Sequence, residues 1–513
     1  MAFEQQQQHL HQHSSPPSPS QVADKRPRSA ASPGDGDGGG GGGADKAAPR
    51  PKRAQVSKAC ARCKKLQKGC SEHRPCQRCL KAGLAEQCVA PQASIDAGFW
   101  STRSGDNSPG TLSATSPRGF VVVPREPRPR NFLPPPVLDH CLDRFFSKLR
   151  PTIPILTEDY AVKLRRDADA PDSGPESLAT VTAICAMVLL QVEDGESFSF
   201  PGIIPEKNSR YGRALFEEAL GLHQQVYRRS TPSFTQCLLS FFLYACHSVL
   251  FHHSQAFIFL REATTLLLLF RPSMEDPYAR KLSERLFWVL LVSERSHGIR
   301  YRRPVTLQIT PGTPAIEKSA DLAGFWNLAA LFRPLDTSFI ALWNQETFSC
   351  PPTAASLANI ETAINEAVDH TSDLLDTQKA NLRVTQLWLR IILWQIRLHL
   401  GHLAEDAHPI SLTYHYPLEV AKDLVLSTQD LSVDSIKVHG VGITEKLLDI
   451  ACAVVDVLAR IPLTDAVKHG VGARPEDNLR YVRQLITQLP GGKATYDDLL
   501  NKHIQHTLPN LVL

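Results

Sequence analysis

The chain has no uninterrupted apolar run of the about 18–20 residues that a membrane-spanning helix needs, so no transmembrane span is expected in its 513 residues. Its first residues, MAFEQQQQHLHQH, lack a basic stretch followed by an apolar one, so no secretory signal is read there. There is no GxSxG, no HExxH and no Walker loop ending in Lys-Ser/Thr. These absences count against a nucleophile-elbow hydrolase, a zincin protease and a P-loop nucleotide-binding protein, and no catalytic residue is assigned. Strand signals are sparse. What is present is cysteine: six of the twelve lie between residues 60 and 88.

These six, Cys60, Cys63, Cys70, Cys76, Cys79 and Cys88, read C-x2-C-x6-C-x5-C-x2-C-x8-C. Soft thiolates in tetrahedral sets select zinc, with Zn–S distances of about 2.3 Å. Six sulfurs cannot fill two separate four-ligand sites, but they fill two sites that share two sulfurs. Cys60 and Cys76, the first member of each C-x-x-C pair, are placed to bridge. A disulfide cluster would need an oxidising compartment. The other cysteines (Cys141, Cys185, Cys237, Cys246, Cys350 and Cys452) are scattered singly, most among apolar residues, as free and mostly buried thiols in a reducing cell would be. A mononuclear four-thiolate site with two spare thiols is the next alternative.

Charge gathers on the same segment. Residues 46–88 hold twelve Lys or Arg against two Asp or Glu, a balance of +10, whereas the whole chain is +4. A basic patch on a small zinc fold is the electrostatic footprint of a nucleic-acid binder, and its affinity should depend steeply on salt. Lys25-Arg26-Pro27-Arg28 and Arg50-Pro51-Lys52-Arg53 read as nuclear-import signals. They do not account for Arg62, Lys64, Lys65 and Lys68, which sit inside the metal loop.

Residues 59–88, ACARCKKLQKGCSEHRPCQRCLKAGLAEQC, resemble the fungal Zn2Cys6 binuclear cluster domain of a large class of fungal transcription factors. The resemblance implies two Zn2+ ions bridged by the first and fourth cysteines, Cys60 and Cys76. It also implies a short helix after Cys63 that enters the major groove of double-stranded DNA, usually at a CGG triplet, with dimer spacing setting half-site separation. On that helix Lys64 and Lys65 are expected, with Lys68 at its end and Gly69 as a left-handed stop. Gln67 stands where such domains commonly carry a base-reading basic residue, and Leu66 precedes it. Gln pairs with adenine, while Lys and Arg pair with guanine, so this chain departs from the usual reader. The contact set is Arg62, Lys64, Lys65, Gln67 and Lys68. The second arm, RPCQRCLKAGLAEQC, is most similar to the fingers of fungal regulators of gluconeogenesis and non-fermentable carbon use.

Composition divides the chain into four parts. Residues 1–54, with a Gln/His run, a Ser-Pro run and GDGDGGGGGG at 34–43, cannot bury a core and are expected to be disordered. His9, His11 and His13 read as part of that polar tract, and the Gly run as a linker. The zinc domain occupies 55–90. Residues 91–134 form a Pro/Ser/Gly-rich linker whose prolines leave no room for a heptad coiled coil. Any homodimer must therefore form elsewhere, or the finger binds as a monomer. From 135 to 508 apolar residues recur at helical spacing, as at 137–149, 178–192, 233–251, 256–270, 281–295 and 383–400. Five of the six tryptophans fall here, and the length suffices for a large helical core. The expected fold is all-α: a small zinc cluster and a large helical regulatory domain, preceded and joined by disordered linkers. The 233–251 run reads as a central buried helix.

The helical part is similar in its own right to the fungal-specific transcription factor domain, also called the middle homology region. DHCLDRFFSKLRPTIPILTEDY (139–160) resembles its start, and AFIFLREATTLLLLF (256–270) with LSERLFWVLLVSERSHGIRYRRPVTLQ (282–308) its central stretch. Within that group the similarity is to regulators of starch and maltose use, and residues 325–344 and 383–395 fit that type as well. His247, His252 and His253 read as ordinary core or polar histidines rather than a metal site. Glu284, Arg285, Glu294, Arg295, Arg300, Arg302 and Arg303, around Trp288, read as interhelical ion pairing. Two functions are carried forward. The first is a nuclear, zinc-dependent, sequence-specific DNA-binding transcription factor of RNA polymerase II genes. It would work with the transcription machinery as an activator of carbohydrate utilisation or of a secondary-metabolite biosynthetic gene cluster. The second is a helical interaction scaffold or co-regulator whose zinc cluster is structural and reads no bases. Neither is an enzyme, and neither needs a membrane.

Overall fold

The structure, a computed structural model, describes residues 63, 76–82, 132–170, 174–226, 231–272, 277–316, 319–346, 352–368, 373–462 and 474–509. The low-complexity segment 1–54, residues 91–131 of the expected linker, Cys350 and the two import-like runs lie outside them. The described residues fall into two compact units, 63 and 76–82 in one and 132–509 in the other.

The first unit contains α1 (Gln77–Lys81). The second is a run of helices: α2 (Pro135–Arg144), which continues as a π turn over Phe145–Leu149, α3 (Glu158–Asp169), α4 (Pro175–Gln191), α5 (Asn208–His223), α6 (Phe234–Val249), α7 (His253–Leu269) and α8 (Pro277–Tyr301). It proceeds through α9 (Ala323–Phe332), α10 (Thr337–Trp343), α11 (Ala354–Glu366), α12 (Asp376–His399), α13 (Tyr416–Thr428), α14 (Val433–Lys437), α15 (Val441–Arg460), α16 (Pro475–Gln488) and α17 (Asp497–Thr507). No strand occurs among the described residues, and the all-α expectation holds. The six segments picked out by apolar spacing fall on α2 and its π turn, α4, α6, α7, α8 and α12, although α8 and α12 begin earlier, at Pro277 and Asp376, and α8 runs on to Tyr301.

Local chemistry explains where helices begin. Thr157 accepts from the amide of Tyr160 at 3.3 Å to start α3, and Asp336 accepts from Phe339 N at 2.7 Å to start α10. Proline stands in the first turn of α2, α4 and α16, where its missing N–H leaves no donor to satisfy. Ser233 and Gln236 form a reciprocal capping box at α6. That box is tied to α4, because Ser233 Oγ and Gln236 Nε2 both donate to the Glu176 carboxylate, at 2.9 and 2.7 Å.

One continuous core runs from Val137 to Ile504. The residues of α6 from Phe241 to His247 are all buried, as expected of a central helix. It packs on α4 and α7, while α4 also holds α5, and α12 packs against α9, α13 and α15. The α4–α5 approach needs Gly212. A Cβ there would lie 3.0 Å from Leu190 Cγ and 3.1 Å from Leu189 Cβ, tighter than ordinary contact. Trp288, Trp343, Trp388 and Trp394 are buried, and each indole N–H finds an oxygen, as burial of that group requires. The acceptors are Pro314 O, Ile299 O, Asp449 Oδ2 and Thr413 O, at 2.6–3.0 Å.

The charged series around Trp288 proves to be only partly ion-paired. Glu294 pairs with Arg261 of α7 at 2.9 Å, and Arg300 pairs with Glu445 of α15. Arg295, by contrast, donates to the carbonyls of Leu335 and Leu307, at 2.6 and 3.2 Å. Arg302 donates to Trp343 O and lies 5.0 Å from its ring centroid. Buried arginine here serves backbone carbonyls of the segments after α8, which the spacing of charges along one helix could not reveal.

Candidate metal centre and nucleic-acid interface

Cys76 is the N-cap of α1, in extended conformation, and Cys79 is the third residue of that helix. The turn closes with Leu80 N donating to Cys76 O at 3.0 Å. Residues three apart across a helix start share a face, so the C-x-x-C spacing presents two thiols side by side. Cys63, itself helical, joins them. The three Sγ atoms lie within 4.8 Å of one another, and the residues are 1%, 0% and 0% exposed.

The Sγ atoms of Cys63 and Cys76 are 3.7 Å apart. A disulfide between them would hold the sulfurs about 2.05 Å apart. Two sulfurs on one tetrahedral zinc, each about 2.3 Å from the metal, stand about 3.8 Å apart by simple geometry. The separation therefore suits two ligands of a shared metal ion. Three sulfurs packed this closely without a cation would face mutual repulsion as thiolates, and zinc removes that cost.

Cys60, Cys70 and Cys88 lie outside the described residues, as do Arg62, Lys64, Lys65, Leu66, Gln67, Lys68 and Gly69. Of the six sequence-read metal ligands, the structure thus brings three together. It adds two cations that were not in the contact set: Arg78 and Lys81 are both exposed on α1. Their place inside the +10 segment was the available signal.

In the helical unit the remaining cysteines behave as thiols. Cys141, Cys185, Cys237, Cys246 and Cys452 are buried and unbridged, and burial raises the pKa of Cys237 to about 12. His247 packs edge-on against Phe216 and stacks on Phe259, with centroids 4.7 and 5.2 Å away. Burial, then the neighbouring His252, lowers its pKa to about 4. It is a neutral core histidine, with its Nδ1 3.3 Å from Nδ1 of His252. The spacing of residues did not reveal a polar set on α15. The Glu445 carboxylate pairs with Arg300 and accepts from Tyr301 and Tyr496 hydroxyls at 2.7 and 2.8 Å. Lys446 and Asp449 follow it in the same helix. No helix among the described residues is long and apolar enough to cross a membrane.

Comparison with known proteins agrees with this geometry. Residues 58–95 match the fungal Zn(2)-Cys(6) binuclear cluster domain, a description that carries two zinc ions and the six cysteines this segment holds. The chain is similar to the probable sucrose utilization protein SUC1 of Candida albicans, 25% identical over 349 residues, which cover 64% of this chain and 67% of that protein. It is similar to the maltose fermentation regulatory protein MAL13 of Saccharomyces cerevisiae, 21% identical over 436 residues, covering 80% and 85%. A transcription activator of gluconeogenesis from Neurospora crassa is 49% identical over 39 residues, 8% of this chain and 5% of that protein. No solved structure matches the chain significantly.

Proposed function

We propose that this chain, which belongs to the fungal Zn(2)-Cys(6) zinc-cluster transcription regulators, is a nuclear activator of metabolic genes that reads DNA through its zinc cluster. The observation that carries the reading is the convergence of Cys63, Cys76 and Cys79 inside the matched cluster domain. The two zinc ions would be held by Cys60, Cys63, Cys70, Cys76, Cys79 and Cys88, with Cys60 and Cys76 shared. Zinc here supplies structure: it cross-links two short arms that are too small to build a hydrophobic core.

On that scaffold Arg62, Lys64, Lys65 and Lys68 supply phosphate contacts, joined by the exposed Arg78 and Lys81. Gln67 is the base reader, and its amide suits adenine better than guanine. The preferred site is therefore CGG-like in placement but altered at the position that Gln67 meets. The helical unit from 135 to 508 is the part that engages the transcription machinery, and any dimer forms without a coiled coil after the finger. The genes are those of carbohydrate use, a reading supported by relatives named for sucrose utilization and maltose fermentation. The scaffold alternative rests on Gln67 and Leu66 alone.

Selection from random duplex DNA, run with and without a zinc chelator, tests the reading. Enrichment of one motif that disappears on chelation is the expected result. Binding that shows no sequence preference favours the scaffold, and binding that survives zinc removal unchanged overturns the cluster as the reader.

A further inference from the structure

The helical unit holds a half-open pocket of about 170 Å3 between α4, α6, α8, α9, α12 and α15. Its lining includes the apolar side chains of Phe241, Val289, Phe325 and Leu328 and the polar ones of Arg300, Lys446, Asn381, Ser293 and Ser296. Among the described residues that line it are two cations, Arg300 and Lys446, and no Asp or Glu. Half-buried Thr152, Ile153, Gln191 and Val292 form its rim.

The two cations are not equivalent. Arg300 is matched: it pairs with Glu445, and it donates to the carbonyls of Gly442 and Ser296, at 3.1 and 3.4 Å. Gly442 permits this approach, because a Cβ there would meet Arg300 Nη1 at 3.1 Å. Lys446 is 8% exposed and, among the described residues, has no carboxylate within ion-pair distance. Its Nζ donates to the Thr385 hydroxyl at 2.7 Å and lies 5.5 Å from the centre of the Trp388 ring. The Thr385 hydroxyl in turn donates to Asn381 Oδ1 at 3.2 Å. The one carboxylate near that indole, Asp449, accepts from Trp388 Nε1 at 2.8 Å. Burial, then repulsion from Arg300, lowers the Lys446 pKa to about 7. Glu445, already paired with Arg300, offsets this only in part; a buried ammonium is costly, and an anion in the cavity would lower that cost.

We propose that this cavity binds a small organic monocarboxylate, whose carboxylate is held by Lys446 and whose apolar part lies against Phe241, Val289, Phe325 and Leu328. Size narrows the class. A protein cavity of about 150 Å3 accepts benzene, so this one suits an acid of about ten heavy atoms or fewer. A disaccharide has over twice that number, and the sugars in the relatives' names are not carried over to this pocket. The proposal is independent of how the finger reads DNA.

Calorimetric titration of the zinc-loaded full chain tests it, with sodium benzoate as the probe and benzyl alcohol, inorganic phosphate and maltose as comparators. Benzoate is expected to bind at one site, at least tenfold more tightly than the other three. Lys446→Met should weaken benzoate at least tenfold and leave benzyl alcohol unweakened. Ser293→Leu, which fills the cavity, should abolish both, and it carries the test if the lysine variant does not fold. The proposal is overturned if benzoate fails to bind or if any comparator binds as well as it does. It also fails if either variant keeps full benzoate affinity.

Discussion

Glu294, at 1% exposure, satisfies three donors at once. They are Arg261 Nη1 at 2.9 Å and the amides of Thr306 and Leu307 at 2.8 Å each. It thereby fixes the extended segment after α8 onto the helix. Glu294→Ala leaves the buried Leu307 amide without its acceptor and removes one acceptor from the Thr306 amide and the Arg261 guanidinium, so an unfolding titration should show a loss of about 3 kcal/mol. A loss below about 1 kcal/mol, the worth of an exposed pair, would contradict that role. His247 gives a pH-dependent counterpart. Its folded-state pKa of about 4 lies below the ordinary value of 6.5, so between those pH values the unfolded chain binds a proton that the folded chain does not. Stability therefore rises with pH across that window and is lost as pH falls from 6.5 toward 4. The expected size is on the order of 3 kcal/mol. His247→Leu should flatten that part of the profile, and an unchanged profile would show that the histidine titrates freely.

At the scale of the element, α6 is held at its first turn by Ser233, whose hydroxyl caps Gln236 N at 3.1 Å and also donates to Glu176 of α4. Ser233→Ala should cost about 1–2 kcal/mol and speed amide exchange in the first turn of α6. Unchanged exchange there would mean that packing alone fixes the helix start. The helices with clean apolar spacing were legible in the sequence, because local chemistry encodes them; the Ser233 cap was not read there and came from the structure. α15 was less legible. Glu445, Lys446 and Asp449 interrupt the apolar pattern of EKLLDIACAVV with groups whose partners, Tyr301, Tyr496, Thr385 and Trp388, come from distant segments. The same holds for Arg295, which serves carbonyls of Leu335 and Leu307. The zinc segment was the reverse case: its six cysteines declare themselves by spacing, since a metal site needs only a few ligands close in sequence. The register of sulfurs in space, 3.7 Å from Cys63 to Cys76, needed the structure.

At the scale of the molecule, metal and core support separate units. Among the described residues the one group of thiols or acids arranged for a metal is Cys63, Cys76 and Cys79. The helical unit has its own continuous apolar core from Val137 to Ile504. Its five described cysteines are buried thiols that bridge nothing. Free energy from zinc, about 10–16 kcal/mol in small zinc domains, should therefore be spent on the finger alone. Chelation is expected to abolish specific DNA binding while the thermal transition of the helical unit stays in place. Calorimetry of the full chain before and after chelation, paired with a DNA-binding assay on the same samples, reads both outcomes. A helical transition that collapses with zinc loss would show that the two units fold as one. The basic charge makes a second demand on the zinc-loaded state. Each lysine lost from a phosphate contact should make the salt dependence of binding shallower by about 0.9 in log–log slope. Lys65→Ala should do so without altering the helical transition. If its slope and affinity match the unsubstituted chain, Lys65 does not face the DNA backbone, and the contacts fall to Arg62, Lys64, Lys68, Arg78 and Lys81.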